Sequence, residues 1–382
     1  MSARGLDELI GRLIWVGIRG RTPGDLVLED EIKRCERAHV GGIILFDVDV
    51  PGRNRLRDES GLPEEEARLG SPRNVSDAES TARLVKYLKE RLGEELIVSI
   101  DQEGGFVSRL NPRHGYPASP APQEYASLDA ESRSEAARTL AETISSVGID
   151  LNLAPCVDVA INPDGPGHTA LGRSFGRDPE SVARMAGEQI DAMHHAGAAC
   201  MIKHFPGHGS AVGDTHFGLV DITQTWAEED ELAPYARLLG PDSVSKEPAD
   251  AVMISHLIHR GFDADRPASL SHAIITGLLR ERLGYDGLVT TDSLDMHAVA
   301  DRFDGGEAAV LALEAGADVA LEANNLTVVR DCPAESIHTA IADAVADGRL
   351  SVKELEQKVA RAERVLDAIR RRRAVRLEVA GG

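Results

Sequence analysis

LIVSID (96–101) is the stretch of sequence from which the fold can be deduced. It is almost entirely apolar, and it ends on an aspartate that precedes the glycine-rich segment QEGG (102–105). A continuous apolar run of this length is typical of a strand buried on both faces of a parallel sheet. In proteins built from such sheets, side chains at the carboxyl ends of the strands form the functional site.

Seven further runs repeat this pattern, with helix-compatible segments between them. They are IWVGI (14–18), GGIILF (41–46), IDLNLAP (149–155), CMIKHF (200–205), AVMISH (251–256), GLVTTD (287–292) and DVALE (318–322). Eight buried strands alternating with helices predict a (β/α)8 TIM-like barrel, an α/β fold. A doubly wound open sheet is the alternative, but the GxGxxG turn that usually follows its first strand is absent.

Helix ends are marked by capping residues. Ser76 with Glu79 predicts a capping box at the start of one helix, and Ser351 with Glu354 predicts another near the end of the chain. His194 and His195 are expected to be partly exposed helix residues.

The chain, residues 1–382, is predicted to be a single catalytic domain. Residues 47–75 are charged and lack periodicity, which predicts a long surface loop after the second strand. This loop would either shape the mouth of the site or be a disordered insertion. Residues 333–373 predict C-terminal helices, and the arginine run 370–373 is interpreted as a solvated helix end.

Composition excludes several classes of function. A formal net charge of −21 argues against a nucleic-acid partner, which would require a basic surface. No run of eighteen apolar residues and no secretory signal pattern is present, so we expect a cytoplasmic protein that does not span a membrane. Cys35, Cys156, Cys200 and Cys332 are widely spaced, which argues against a disulfide framework or a structural zinc site.

Polar side chains occupy the carboxyl ends of most of the predicted strands. They are Asp101, Asp158, Lys203, His204, His256, Asp292 and Glu322. Strand ends meet water, so some charge is expected there without any function. The convergence of so many nevertheless predicts an enzyme. Carboxylates beside Arg109 and Arg173, with few aromatic residues, suit a polyhydroxyl ligand, and retaining glycosidases need one ionised carboxylate and one proton donor.

KHFPGHGSAVGDTHFG (203–218) concentrates titratable groups in one loop. Its three histidines and Asp214 could bind zinc. However, Pro206 and Gly207 lie between His204 and His208, so these two are not a helical pair, and HExxH is absent. We therefore predict neither a metal nor a cofactor. His208 is as well explained by supporting a tight turn as by substrate contact.

These residues are similar to glycoside hydrolase family 3, in its single-domain β-N-acetylglucosaminidase branch. The similar stretches are IDQEGGFVSRL (100–110), LGRSFGRDP (171–179), KHFPGHGSAVGDTHFG (203–218), MISH (253–256), PASLS (267–271) and VTTDSLDM (289–296). The resemblance extends from about residue 7 to residue 370 and implies a barrel fold.

The resemblance implies a role for each matching residue. Asp292 corresponds to the catalytic nucleophile, and Asp214 with His216 corresponds to an acid/base dyad. The residues that correspond to binders of the non-reducing sugar are Asp101, Arg109, Arg173, Lys203 and His204, with Met296 lining the pocket. The implied activity is that of a retaining exo-β-N-acetylglucosaminidase acting by double displacement on a small glycan.

Elementary chemistry agrees with the implied dyad. Asp214 and His216 are two residues apart, so in an extended segment their side chains point to one side. A carboxylate beside an imidazole favours the imidazolium form, which can protonate a departing oxygen. Glycines 207, 209, 213 and 218 are expected to let the loop move over the site.

Four alternatives remain at this level. A phosphorylase could use the same scaffold, because a histidine acid/base does not repel an incoming phosphate. A β-glucosidase would differ in recognition of the 2-substituent. A non-catalytic sugar-binding protein would bind without turnover, and a metal-dependent hydrolase would be inactivated by a chelator.

Overall fold

The computed structural model describes residues 5–165, 169–326 and 331–381, with side chains up to residue 378. Eight strands form the central sheet: β1 Ile14–Gly17, β2 Gly42–Leu45, β3 Ile97–Ile100, β4 Leu151–Asn152, β5 Ala199–Phe205, β6 Ala251–Ile254, β7 Leu288–Thr291 and β8 Ala320–Glu322. All neighbouring pairs are parallel, in the order β7-β6-β5-β4-β3-β2-β1-β8. A parallel bridge between Thr290 and Val319 brings the last strand back to β7. The predicted (β/α)8 barrel is confirmed, with one strand in each predicted run.

Helices surround the barrel and follow its strands. In the described residues they are α1 Leu6–Arg12, α2 Leu26–Arg37, α3 Val50–Ser60, α4 Glu64–Leu69, α5 Ala78–Leu92, α6 Pro122–Ala126, α7 Ala130–Ser146, α8 Pro179–His195, α9 Glu228–Leu239, α10 His297–Ala300, α11 Gly305–Ala315, α12 Ala334–Ala346 and α13 Val352–Gly381, with a π-helix at Ala273–Arg282. Within this part of the chain, none is both long and apolar enough to cross a membrane.

The two predicted capping boxes have different outcomes. The amide of Glu354 donates to Ser351 Oγ and the amide of Ser351 donates to Glu354 Oε2, so the box before α13 is confirmed. At α5 the prediction is wrong by one residue, because Asp77 caps the helix by accepting the amide of Ser80. Aspartate and serine are comparable N-cap residues, and the sequence pattern alone does not rank two adjacent candidates.

The predicted loop at 47–75 contains two helices, α3 and α4. Asp49 caps α3 through the amide of Gly52, and Gly61 ends it in a left-handed conformation. Each helix buries a single residue, so neither shows the apolar stripe by which a helix is recognised in sequence. The segment is tied to the barrel by Arg73, which is buried and donates to Asp49 at 2.9 Å.

The barrel interior is filled by apolar side chains and closed by α13. Trp15, Ile97 and Leu288 belong to an interior cluster that also contains Leu366 and Ile369 of that helix. A TIM barrel has a packed core rather than a pore, and active sites lie at its carboxyl-terminal face. This interior cluster, which we call the apolar plug, therefore occupies the amino-terminal end of the barrel, opposite the expected site.

Aspartates at the amino-terminal ends of alternate strands reinforce this closed end. Asp150, Asp250 and Asp318 precede β4, β6 and β8, and each accepts a backbone amide from the strand on one side. The donors are, in that order, Val98, Cys200 and Val289. Each carboxylate thus joins two neighbouring strands.

Arginines of α13 pair with these aspartates. The prediction that the arginine run 370–373 is solvated is therefore wrong for Arg372 and Arg373. Arg372 donates to Asp250 at 2.8 Å and is only 10% exposed, and Arg373 lies 3.0 Å from Asp150. His194, predicted to be partly exposed, is buried and bonded to Asp250 at 2.8 Å. His195 is exposed, as expected.

Candidate active site

Lys203 joins the ends of β3 and β5. Its Nζ lies 2.7 Å from Asp101 Oδ1 and 2.7 Å from Glu103 Oε1, although the side chain is only 3% exposed. Burial alone would lower the pKa of Lys203, but the charges of Asp101 and Glu103 outweigh it and raise that pKa. Lys203 is therefore a fixed cation in the floor of the site.

Arg173 forms the second cationic group of the floor. Its Nε and Nη2 donate to the two oxygens of Glu103 at 2.8 and 2.7 Å. Burial alone would raise the pKa of Glu103, but Arg173 and Lys203 hold it well below the ordinary value. A carboxylate that stays ionised and saturated with donors positions cations and cannot supply a proton.

His204 is oriented by Asp158 from the segment after β4. Its Nδ1 lies 2.7 Å from Asp158 Oδ2, and Asp158 Oδ1 accepts the amides of His204 and His208. The other ring nitrogen, Nε2, lies 3.4 Å from Arg173. Burial lowers the pKa of His208 to about 4, although the charge of Asp158 opposes this, so His208 is neutral.

Cys156, Asp158 and His204 form the one group in the described part of the chain whose ligand atoms are close enough to hold a metal ion, within 4.8 Å of one another. It differs from the histidine set considered from the sequence. The Cys156 thiol donates to Asp158 at 3.2 Å, and burial raises the pKa of that thiol well above its ordinary value. A protonated thiol is a poor metal ligand, so the donor set fits a hydrogen-bonded support for His204 better than a metal centre.

Arg109 occupies the side of the site formed by β2 and β3. Its Nη2 lies 3.6 Å from Asp101 and its Nη1 lies 4.0 Å from Asp47, which is buried. The guanidinium also lies 5.4 Å from the centroid of the Phe46 ring. Arg109 and Asp101 therefore offer a paired donor and acceptor to a hydroxylated ligand.

Asp292 follows β7 and is half-buried. Its Oδ1 accepts the amide of Ser293 at 2.7 Å. Burial alone would raise its pKa, but the charges of His256, His204 and His216 hold the pKa below the ordinary value. Asp292 is therefore ionised at neutral pH, the state that a nucleophile requires.

His256 lies directly behind this carboxylate. It is buried, with Nδ1 2.7 Å from Ser269 Oγ and Nε2 2.8 Å from the carbonyl of Ser293. Burial lowers the pKa of His256, although Asp292 opposes this. His256 is thus a core residue with both ring nitrogens hydrogen-bonded, and it also fixes the segment after Asp292.

Asp214 and His216 lie on the loop between β5 and α9. His216 Nδ1 is 2.7 Å from Asp214 Oδ1, and the ring is 44% exposed. Desolvation lowers the pKa of His216, but the hydrogen bond and charge of Asp214, with the charge of Asp292, raise it above the ordinary value. The carbonyl of Thr215 accepts the amide of Ala298 at 3.4 Å, which ties the dyad to the segment after Asp292.

The first part of this loop is packed rather than free. A Cβ on Gly209 would lie 1.6 Å from the carbonyl of Val159, and one on Gly207 would lie 2.3 Å from Glu231 Oε2. These two glycines are required by close contact, and only Gly213 and Gly218 lie in the part that carries the dyad. Glu231 of α9 is buried and accepts the amide of Ser210 at 2.9 Å.

The predicted site residues thus meet at one end of the barrel. These are Asp101, Arg109, Arg173, Lys203, His204, Asp214, His216 and Asp292. Met296 is buried at the start of α10, and its role in lining the pocket stays a prediction. The sequence did not reveal the supporting parts played by Asp158, Asp47 and Glu231. Asp158 and Asp47 had a signal, since each is an acidic residue soon after a predicted strand, and Glu231 had none.

The carboxyl-terminal face of this (β/α)8 barrel holds an ionised aspartate and an aspartate–histidine pair, the kinds of group that a glycosidase uses. A family profile described as "Glycosyl hydrolase family 3 N terminal domain" matches residues 6–365. The chain therefore belongs to glycosyl hydrolase family 3.

Individual relatives agree with this assignment. The chain is 34% identical to a beta-hexosaminidase of Actinobacillus succinogenes over 312 residues, which are 79% of each chain. It is 39% identical to beta-hexosaminidase LpqI of Mycobacterium tuberculosis over 236 residues, 59% of this chain and 58% of that protein. Some relatives are longer, and only 46% of beta-hexosaminidase A of Pseudoalteromonas piscicida is spanned, at 31% identity over 70% of this chain.

A solved structure is also similar. It is a glycoside hydrolase family 3 beta-N-acetylglucosaminidase from a Paenibacillus species, with a TM-score of 0.79 and 33% identity, covering 98% of this chain and 63% of that one.

Proposed function

We propose that the protein is a retaining exo-β-N-acetylglucosaminidase that releases terminal N-acetylglucosamine from a small glycan. One observation carries the proposal. The ionised Asp292 lies within electrostatic range of His216, whose Nδ1 is held by Asp214 and whose pKa is raised. An ionised nucleophile and an imidazole whose protonated form is favoured are the pair needed for the first step of retaining hydrolysis.

In the first step, a carboxylate oxygen of Asp292 bonds to the anomeric carbon of the sugar. The bond from that carbon to the aglycone oxygen breaks, and His216 Nε2 transfers its proton to that oxygen. Asp214 stays ionised and stabilises the imidazolium, because its pKa is lowered: burial alone would raise it, but the hydrogen bond and charge of His216 outweigh burial. The product is an alcohol, and the sugar remains as an ester on Asp292.

In the second step, His216 is neutral and accepts a proton from water. The oxygen of this water bonds to the anomeric carbon from the face that the aglycone has left, and the ester bond to Asp292 breaks. Two inversions retain the configuration. His216 is thereby returned to the imidazolium form, the general acid for the next substrate.

The fixed cations and carboxylates around Lys203 suit the hydroxyl groups of the bound sugar. Asp101 offers an acceptor beside the Arg109 guanidinium, and Arg173 and His204 complete a preorganised set. Because these groups already pair with one another, little reorganisation is needed when a hydroxyl group replaces water. The names of the relatives, beta-hexosaminidase and beta-N-acetylglucosaminidase, support an N-acetylated sugar at this position.

A fragment of peptidoglycan released in the cytoplasm is the physiological glycan that we propose, with cell-wall recycling as the process. The activity test compares nitrophenyl β-N-acetylglucosaminide with nitrophenyl β-glucoside. Turnover of the glucoside alone would replace the proposal by a β-glucosidase. Tight binding of N-acetylglucosamine without turnover of either compound would indicate a sugar-binding protein.

Phosphorolysis is the second candidate, because the proton donor is an imidazole rather than a carboxylate and does not repel phosphate. The rate and the products should be measured across a series of phosphate concentrations. Hydrolysis predicts free N-acetylglucosamine at a rate independent of phosphate. Formation of the sugar 1-phosphate, with a rate that rises with phosphate, would show a phosphorylase.

A further inference from the structure

The loop that carries the dyad has its own small core. Val220–Asp221 pairs with Leu257–Ile258, and Ala211, Val220, Ile222 and Leu257 form a buried apolar cluster beneath it. The apolar residues of this cluster are buried and hold the loop in place. Three others remain outside: Val212, Phe217 and Leu219.

Phe217 is the most exposed of the three, at 83%. A single exposed apolar residue is ordinary, but here three lie within eight positions of one loop, and an aromatic ring has the largest apolar surface to offer a ligand. Its backbone is fixed, because its amide donates to the carbonyl of Asp214 at 3.1 Å and closes a turn around His216. The backbone at Phe217 is therefore held next to His216.

In the proposed mechanism, the aglycone lies beside this turn. His216 gives its proton to the glycosidic oxygen, which is the first atom of the aglycone. The aglycone therefore passes the exposed edge of the His216 ring. Phe217 is the next residue in the chain, and its Cα lies about 3.8 Å from the Cα of His216. The sugar that remains on the enzyme lies on the other side, toward Asp292 and Lys203.

We propose that Phe217 forms an aglycone subsite, a platform on which a pyranose ring of the leaving group stacks. A pyranose has apolar C–H faces and a polar rim, which matches an exposed aromatic residue that directly follows the Asp214–His216 pair in the chain. This inference rests on the proposed function and deepens it by assigning the residue that binds the leaving sugar.

The experiment measures kcat/KM for three substrates in the wild-type enzyme and in Phe217→Ala. N,N′-diacetylchitobiose has a pyranose aglycone, octyl β-N-acetylglucosaminide has an apolar chain, and β-N-acetylglucosaminyl fluoride has no aglycone ring at all. The expected result is a loss of about tenfold in the ratio of kcat/KM for the disaccharide to kcat/KM for the fluoride. The loss should fall mainly on KM, and Phe217→Tyr should restore the ratio.

Leu377→Ala is the matched control, since Leu377 is 74% exposed on α13, which closes the opposite end of the barrel. It should leave both rates unchanged. An unaltered ratio in Phe217→Ala, an equal loss on disaccharide and fluoride, or a loss confined to the octyl glycoside would each overturn the subsite. Failure of the wild type to turn over either the disaccharide or the fluoride would instead overturn the proposed function.

Discussion

His216 Nδ1 lies 2.7 Å from Asp214 Oδ1, and the same oxygen accepts the backbone amide of His216 at 2.9 Å. One carboxylate oxygen thus fixes both the ring and the backbone that carries it. Because a carboxylate can only accept, Nδ1 carries a proton and Nε2 is the nitrogen left for the reaction. The pair is prearranged in the absence of substrate.

Replacing Asp214 by Asn should weaken proton transfer. Loss of the negative charge lowers the pKa of His216, so the imidazolium is lost at lower pH and the alkaline limb of kcat/KM moves toward acid. We expect kcat for a poor leaving group to fall by up to about 10²–10⁴-fold. The pH profile of kcat/KM measures the shift. Asp221→Asn, an exposed aspartate near the base of the loop, should leave the limb in place. An unmoved limb in Asp214→Asn would contradict the role of the dyad.

Asp292→Ala should abolish turnover, because it removes the carboxylate that is proposed to bond to the anomeric carbon. In the wild type, a slow fluorinated sugar substrate should leave a covalent sugar on the peptide that contains residues 289–296, detected by mass spectrometry. Asp301→Ala is the control, since Asp301 is exposed and pairs with His297 a short distance along the chain. Full activity in Asp292→Ala would remove the basis of the proposed mechanism.

Glu103→Gln should cost stability. It leaves Arg173 and Lys203 buried with one negative charge fewer between them, and breaking a buried pair typically costs about 3–5 kcal/mol. Urea unfolding measures the change in the free energy of unfolding. Glu135→Gln removes a pair with Arg138 on the exposed face of α7 and should cost at most about 1 kcal/mol. Equal effects of the two substitutions would contradict the view of Glu103 as a buried counterion.

Glu231 should make the protein less stable in alkali. Burial, and then the charge of Asp158, raise its pKa to about 8. The folded state therefore holds a proton that the unfolded state releases, so its contribution is fully present below the ordinary pKa of 4.5 and is lost as pH rises from there through about 8. The free energy of unfolding should fall over this interval by on the order of 4 kcal/mol.

Glu231→Gln, which is neutral at every pH, should flatten this slope. Glu229→Gln changes an exposed position on the same helix and should keep it. Urea unfolding between pH 5 and pH 9 distinguishes the variants. A slope that persists in Glu231→Gln would show that other groups cause the alkaline loss.

The barrel could be predicted because each buried strand is a short, mostly apolar run of sequence. LIVSID and GLVTTD carry no charge before their last residue and end on Asp101 and Asp292, so both the strands and the polar groups at their ends could be located. Residues 50–69 show the limit of such reasoning. The first helix there is capped by Asp49, and the second carries the Arg68–Glu64 ion pair. Neither has an apolar stripe, so periodicity gives no sign of them.

Supporting contacts were harder to predict, because they join residues far apart in sequence. Glu103 pairs with Arg173 across 70 positions, and Asp250 pairs with Arg372 across 122. A run of four arginines is usually solvated, and only the folded chain shows that two of these meet aspartates at the strand starts. The roles assigned to the site residues stay predictions until the variants above are measured.

The apolar plug at the closed end of the barrel affects the order in which the chain can fold during synthesis. Trp15 and Ile97 emerge from the ribosome long before Leu366 and Ile369, which cover the same interior. All eight strands can thus be present while one mouth of the barrel is still open to water. Until the last helix arrives, the apolar side chains at this end of the barrel stay exposed, which makes the nascent protein prone to aggregation for that interval.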